Sequence, residues 1–203
     1  MEFNFEGIKI GFAVTGSFCT FSKVFRQAEF LKNCGAELIP IMSENASSIS
    51  TRFGSAEENV MRFEKVCGKG AIMTIADAEP IGPKSLTDIM VVAPCTSNTA
   101  AKLAGGITDS SVTMAVKSHL RSGKPVLLAI ASNDSLLGSA ANIGSLFNRK
   151  NYYFVPMLQD DCVKKPASLV AEFSMLPQAI EAAMNGIQLR PIIYHNTLAE
   201  SAV

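Results

Sequence analysis

The sequence predicts an α/β fold: a three-layer αβα sandwich around a parallel, Rossmann- or flavodoxin-like sheet. Three observations carry that expectation. Short apolar runs alternate with helical patterns along the chain. Runs such as Ile89-Met90-Val91-Val92-Ala93 and Val126-Leu127-Leu128-Ala129-Ile130 are apolar at every position, as strands covered on both faces are. Each run is followed by enough chain for a crossover helix, and right-handed crossovers leave few topologies. With 203 residues, 48% hydrophobic and 18% charged, the chain is long enough to bury a full core. We place a single domain over residues 1–190 and a flexible tail over 191–203, beyond Arg190-Pro191.

The elements follow in order. Ile8 to Val14 reads as the first strand, closed by Thr15-Gly16-Ser17, and Phe21 to Cys34 as a helix stopped by Gly35. A strand over Glu37 to Met42 leads into a polar loop from Ser43 to Ser50, then a helix over Ala56 to Cys67 ending at Gly68. Ala71 to Ile75 reads as a short strand and Glu79-Pro80-Ile81-Gly82-Pro83-Lys84 as a loop. Pro94 ends the Ile89 strand, because it has no N–H to extend a ladder. Helices are expected over Thr99 to Leu103, Ser111 to Arg121 and Ala140 to Arg149, with strands over Val126 to Ile130 and Tyr152 to Val155. Pro156 to Pro166 lacks periodicity and reads as a flap; Pro177 and Gly186 bracket a last helix.

Composition removes several function classes. Eighteen basic residues balance eighteen acidic ones, so no footprint for nucleic acid is present. No apolar run approaches a membrane span, and the first residues lack the pattern of a signal peptide, so a cytoplasmic protein is expected. Cys19, Cys34, Cys67, Cys95 and Cys162 form no C-x-x-C pair, and only two histidines are present. That argues against a disulfide framework and a metal site. Cys19 and Cys95 fall in turns assigned to a ligand, which leaves a redox role open. His119 sits in a helical pattern as a surface or helix-end residue, and His195 lies in the tail.

Three turns should converge at the carboxyl ends of the strands, where ligands of open α/β sheets bind. In Thr15-Gly16-Ser17-Phe18-Cys19-Thr20, Gly16 permits close backbone approach, and Ser17 and Thr20 can bond a phosphate at a helix N-terminus. One glycine is short of the dinucleotide fingerprint and favours a mononucleotide such as FMN; an ordinary capped βα turn fits the same residues. In Ser43-Glu44-Asn45-Ala46, Ser43 and Asn45 suit phosphate or ribityl oxygens, or simply a solvated loop. The third is Ala129-Ile130-Ala131-Ser132-Asn133, after the strand over Val126 to Ile130. Beside these three turns, Pro94-Cys95-Thr96-Ser97-Asn98-Thr99 carries three helix-capping residues, Thr96, Ser97 and Asn98, beside free backbone N–H groups.

That last run resembles the P-A-S-A-N-T-x-x-K-x-A signature of the flavin-binding family that includes the FMN-dependent cysteine decarboxylases. Pro94, Asn98, Thr99, Lys102 and Ala104 match, and Gly106 and Asp109 stand where the signature continues. The resemblance implies FMN as cofactor, with Gly16, Ser17, Thr20, Ser43, Asn45, Thr96, Ser97, Asn98 and Thr99 around it. It also implies a homo-oligomer, a trimer or a multiple of one. Two departures are informative. Ala129-Ile130-Ala131-Ser132-Asn133 resembles the family's A-P-A-M-N substrate loop with altered chemistry, and Asn133 is kept as a substrate-binding candidate. Proline stands about where the decarboxylases carry a catalytic histidine, so ordinary decarboxylation is not expected.

From Lys9 to Ile192 the chain is similar to a branch of this family that serves as one half of a two-component oxidoreductase of spore formers. That resemblance implies a nicotinamide-dependent partner, with NAD(P) on the partner and not on this chain. It implies a small dicarboxylate substrate that is oxidised to a pyridine dicarboxylate. Two carboxylates call for cations, and Lys84, Lys102, Lys164 and Lys165 are the candidates; Lys164 and Lys165 beside Pro166 are preferred for a clamp, or form a solvated surface pair, and Lys102 fits a structural role in its helix. Asn98, whose amide both donates and accepts, is the candidate catalytic contact. A decarboxylase or prenyl-transfer enzyme of the same fold stays open, as does a non-catalytic component that only completes its partner's site. A pocket that keeps its shape but takes phosphate or another nucleotide also remains.

Overall fold

The consecutive apolar runs become the central strands of a seven-stranded sheet. The computed structural model describes residues 3–159 and 161–194. The strands are β1 (Lys9–Val14), β2 (Glu37–Met42), β3 (Ile89–Cys95), β4 (Val126–Ser132), β5 (Tyr152–Phe154), β6 (Met157–Leu158) and β7 (Leu169–Ala171). Their order is β2-β1-β3-β4-β7-β6, with β5 pairing β4. Pairs among β1 to β5 are parallel, whereas β7 runs antiparallel to both β4 and β6.

Eight helices complete the described residues: α1 (Phe21–Asn33), α2 (Glu44–Ser48), α3 (Ala56–Cys67), α4 (Ile75–Ala78), α5 (Ser97–Gly105), α6 (Ser111–Leu120), α7 (Ala140–Phe147) and α8 (Leu176–Met184). Strand alternation sorts them into two layers. Phe12, Val14, Val91 and Leu127 face α1, α3 and α8 in one buried cluster. Ala13, Met90, Val92 and Leu128 face α4, α5, α6 and α7 in the other. This is the expected αβα sandwich. Stacked and tilted rings of Phe12, Phe25 and Phe63 fill the first layer.

Several local expectations are corrected. β3 does not stop at Pro94 but continues to Cys95, past a cis Ala93–Pro94 bond. Its register with β4 shifts between Val92 and Cys95, so the proline sits where the ladder is already broken. The shift turns Cys95 to the Met90–Val92 side instead of the Val91–Ala93 side. The polar run after β2 is helical over Glu44–Ser48, capped by the Ser43 hydroxyl on the Ala46 N–H. Its serines bond back to helix carbonyls, which in sequence is indistinguishable from loop chemistry. Ala71 to Ile75 forms a single bridge, Ile41 to Ile72, before α4 begins. The Pro80 segment is a 3₁₀ turn over Glu79–Ile81. It packs so closely on α6 that a Cβ on Gly82 would stand 1.9 Å from the Ser118 carbonyl oxygen.

The sheet is not wholly parallel, and the expected flap contains part of the reason. β6 and β7 are two and three residues long, too short for any period to be read. Residues 191–194, which the sequence assigns to the tail, are tied to β6: Met157 N–H donates to Ile192 O and Tyr194 N–H to Met157 O. The remainder of that stretch, His195 included, lies outside the described residues.

His119 is not at the surface; it is buried at 1% exposure near the end of α6. Its Nε2 lies 2.9 Å from the Pro125 carbonyl, which can only accept, so the proton is on Nε2. Nδ1 then accepts from the Thr87 hydroxyl at 2.7 Å. Burial is the main cause that pushes its pKa down to about 4, and nearby Lys124 adds to the shift. An unfolded histidine takes a proton near pH 6.5, while the folded one does so near 4. Stability contributed by neutral His119 should therefore be full above pH 6.5 and lost as pH falls toward 4, by up to about 3 kcal/mol. Urea unfolding of the wild type and His119→Gln at a series of pH values checks this. The gap between their stabilities should narrow with acid, and a gap constant across that window would contradict it.

Candidate functional site

At the carboxyl end of β1 the Thr15 hydroxyl donates to the Pro94 carbonyl at 2.7 Å and accepts from the Thr96 N–H at 3.1 Å. Thr15 is 1% exposed, and its bond to Pro94 is made away from water while that from Thr96 is part-buried. They pin the first turn to the junction of β3 and α5. Thr96 in turn caps α5, accepting from the Thr99 N–H at 3.3 Å. The second turn joins by its backbone, where Ser43 N–H donates to Val14 O at 3.0 Å. The Ser111 hydroxyl, at the start of α6, closes the ring on Met42 O at 2.6 Å.

These bonds enclose a polar cavity of about 200 Å³ at the strand ends. Thr15 and Gly16 line it from the first turn, Ser43, Glu44 and Asn45 from the second, and Thr96, Asn98 and Thr99 from the junction of β3 and α5. Lys102 and Ser110 complete the wall. The first two expected turns therefore meet with that junction, whereas the third, over 129–133, does not line the cavity. The nearest neighbours of a Cβ on Gly16 would be Asn45 and Phe18, at an ordinary 3.6 Å, so the chain's own packing leaves room there.

Not every expected residue faces the cavity. The Thr20 hydroxyl is used within its own turn, donating to Ser17 O at 2.7 Å, so it is not available to a phosphate. Ser17 is half-buried and does not line the cavity. Ser97 points instead to Asp134, whose carboxylate also accepts from Ser132 at 2.5 Å and Ser139 at 2.9 Å. Those hydroxyls, that of Ser132 foremost, hold the Asp134 carboxyl below its usual range. Asn133 is exposed beside this cluster.

Lys164 and Lys165 are exposed on the loop between β6 and β7, and β7 enters the sheet opposite Ser132. The loop thus stands at the same end as the cavity without lining it. Asp161 shapes it by accepting the N–H groups of Val163 and Lys164 at 3.1 and 2.9 Å.

Sequence reasoning does not single out Thr15, Glu44 or Ser110 for the site, and it offers Lys102 as a signature match and a candidate cation. Ser110 carries a recognisable signal, a capping box with Thr113. Nothing in the sequence says that this cap borders a hollow. The charge in the cavity is nearly balanced: the Lys102 ammonium stands 2.8 Å from Asp109, whose carboxyl it lowers, and Glu44 adds a carboxylate. A bound anion would therefore be held by hydroxyls, amides and the α5 N-terminus more than by net charge. Cys95 is fully buried, and burial pushes its thiol up to about 12, so it stays protonated. Among the described residues no cluster of ligands could hold a metal, and no helix is long and apolar enough to cross a membrane.

A mostly parallel αβα sheet with a hydroxyl- and amide-lined hollow at its strand ends defines a class, and the chain belongs to it: the Flavoprotein family matches residues 2–171. Within that family it is 47% identical over 191 residues to the B subunit of dipicolinate synthase from Bacillus subtilis (strain 168), spanning 94% of this chain and 96% of that one. The crystal structure of the corresponding B subunit from Bacillus halodurans C superposes with a TM-score of 0.87 at 40% identity, over 95% of this chain and 99% of that one. An FMN-dependent cysteine decarboxylase shares the fold at a TM-score of 0.66 and 20% identity, over 87% and 97% of the two chains.

Thr15→Val keeps the volume but leaves Pro94 O and the Thr96 N–H without their buried partner. It should cost about 1–3 kcal/mol in urea unfolding, and Thr15→Ser clearly less. Equal stability of the valine variant and the wild type would show that the hydroxyl does not hold the turns together.

Proposed function

We propose that this chain is the flavin-binding B subunit of a dipicolinate synthase, cytoplasmic in the mother cell of a spore former. With the enzyme's nicotinamide-dependent A subunit it would oxidise dihydrodipicolinate to pyridine-2,6-dicarboxylate. The observation that carries the reading is the polar cavity at the strand ends, in a chain 47% identical to the Bacillus subtilis protein. FMN fits the donor set present. Ser43 and Asn45 suit ribityl or phosphate oxygens, Thr96 and Thr99 border the α5 N-terminus, and Gly16 leaves room for close approach. The family itself and the FMN-dependent decarboxylase of the same fold support that choice of cofactor.

When bound, FMN supplies a two-electron acceptor for the hydride equivalent lost as the dihydropyridine ring becomes aromatic. The chain's own groups bind and orient. Asn98, exposed at the cavity wall, is the direct contact, able to donate to one partner and accept from another. Asn133 and the Lys164–Lys165 turn would receive the substrate's two carboxylates from the same end of the sheet. A homo-oligomer, trimer or multiple, is part of the reading.

One observation favours a second reading, in which this chain completes the active site of its nicotinamide-dependent partner without reacting itself. His119, one of two histidines in the chain, is engaged within the fold by Thr87 and Pro125 and is closed to substrate. Equilibrium dialysis with FMN tests the cofactor that the first reading needs. The wild type should retain FMN, and Asn98→Ala should weaken binding by roughly tenfold, the loss of one hydrogen bond. Glu44→Gln should tighten it about two- to fivefold, by removing a carboxylate from an anion's surroundings. A wild type that retains no FMN, or an Asn98→Ala variant that binds as well, overturns the flavin reading.

A further inference from the structure

Behind the polar cavity, across the Ser110–Thr113 capping box, lies a second and larger hollow of about 370 Å³. The two are neighbours: Ser110 lines the first and Thr113 the second, their hydroxyl oxygens 2.8 Å apart. The character of this hollow is different. Leu103, Val116 and Leu120 form apolar walls and Ile107, half exposed, forms part of the rim. Three cations, Lys117, Arg121 and Arg149, line it, and no carboxylate does. In a chain of zero net charge such segregation is a local feature.

The cations are held in different ways. The Arg149 guanidinium donates to Leu103 O at 3.0 Å and to Ala104 O, which fixes its plane at the end of α5. Lys117 and Arg121 stand four residues apart, on one side of α6, and among the described residues neither makes an ion pair. Their position near the α6 C-terminus complements the helix dipole, but that does not account for an apolar hollow between them and Arg149. Burial pushes the Tyr152 phenol up to about 12, so it keeps its proton and can donate. A groove of this volume, with apolar walls and exposed cations along one side, has the form of a small-ligand site.

We propose that this groove binds a small anion with an apolar body, in chemical class an aromatic carboxylate. The ring would lie against Leu103, Val116 and Leu120, and the carboxylate would face Lys117, Arg121 and Arg149. Charge complementarity selects an anion, and the apolar walls select a ring over free phosphate. The proposal stands apart from the flavin reading, since none of its residues lines the polar cavity except across the shared capping box.

Calorimetric titration of the full chain with benzoate, and with neutral benzamide of the same shape, tests it. Benzoate should bind once per chain, benzamide at least tenfold more weakly. The double variant Lys117→Gln/Arg121→Gln should lose at least tenfold in benzoate affinity, while Asn98→Ala should leave it unchanged. Absence of saturable benzoate binding, or equal binding of benzamide, overturns the proposal. So does a loss on Asn98→Ala alone, which would put the probe in the polar cavity. Light scattering on the same samples covers the remaining occupant. If the double variant splits an oligomer that the wild type forms, the groove is a contact between copies of this chain and not a ligand site.

Discussion

One buried hydroxyl holds the candidate site in register. Thr15 closes β1, the strand that carries β2 on one side and β3 on the other. Its two bonds to Pro94 O and Thr96 N–H reach across to the chain nearly eighty residues later, where β3 becomes α5. Polar groups inside a protein must find partners, so a hydroxyl at this depth fixes geometry as well as adding stability. With the turn after β1 joined to the start of α5, the Ser43 bond to Val14 and the Ser111 bond to Met42 place the turn after β2 and α6 around the same hollow. The cavity is a consequence of how the strand ends are tied, before any ligand is considered.

The architecture was legible in the sequence where one physical signal dominated. Consecutive apolar residues gave β1, β3 and β4, and the Ser55–Glu58 capping box with Gly68 at φ +74 bounds α3 at the residues expected, Ala56 and Cys67. Convergence of the turns followed from topology alone, because parallel strands deliver every βα turn to one end. What failed to show was either short or non-local. Two- and three-residue strands have no period, and the serines of α2 read as a loop because they bond their own backbone. The burial of His119 depends on Thr87 and Pro125, which only the folded chain brings to it. Thr20 was assigned to a phosphate on residue type, while its hydroxyl closes the turn it sits in.

Two neighbouring hollows divide the chemistry between them. The polar one is lined by hydroxyls and amides, with Lys102 tied to Asp109, and offers oriented dipoles to an anion. The other offers apolar walls and three cations. The departures from the decarboxylase pattern belong to the surroundings of the first. Ser132, where the family carries methionine, donates to Asp134, and that carboxylate also gathers Ser139 and Ser97.

A flavin that sits in this cavity and takes part in the proposed oxidation must itself accept the substrate's electrons. Anaerobic mixing of the FMN-loaded chain with dihydrodipicolinate, with and without the nicotinamide-dependent partner, tests this in a single turnover. The oxidised flavin's visible absorbance should be lost in step with dipicolinate formation, one equivalent per cavity. Dipicolinate formed by the mixed proteins with the flavin band unchanged would contradict it, and would leave this chain as a partner that shapes the reaction without accepting its electrons.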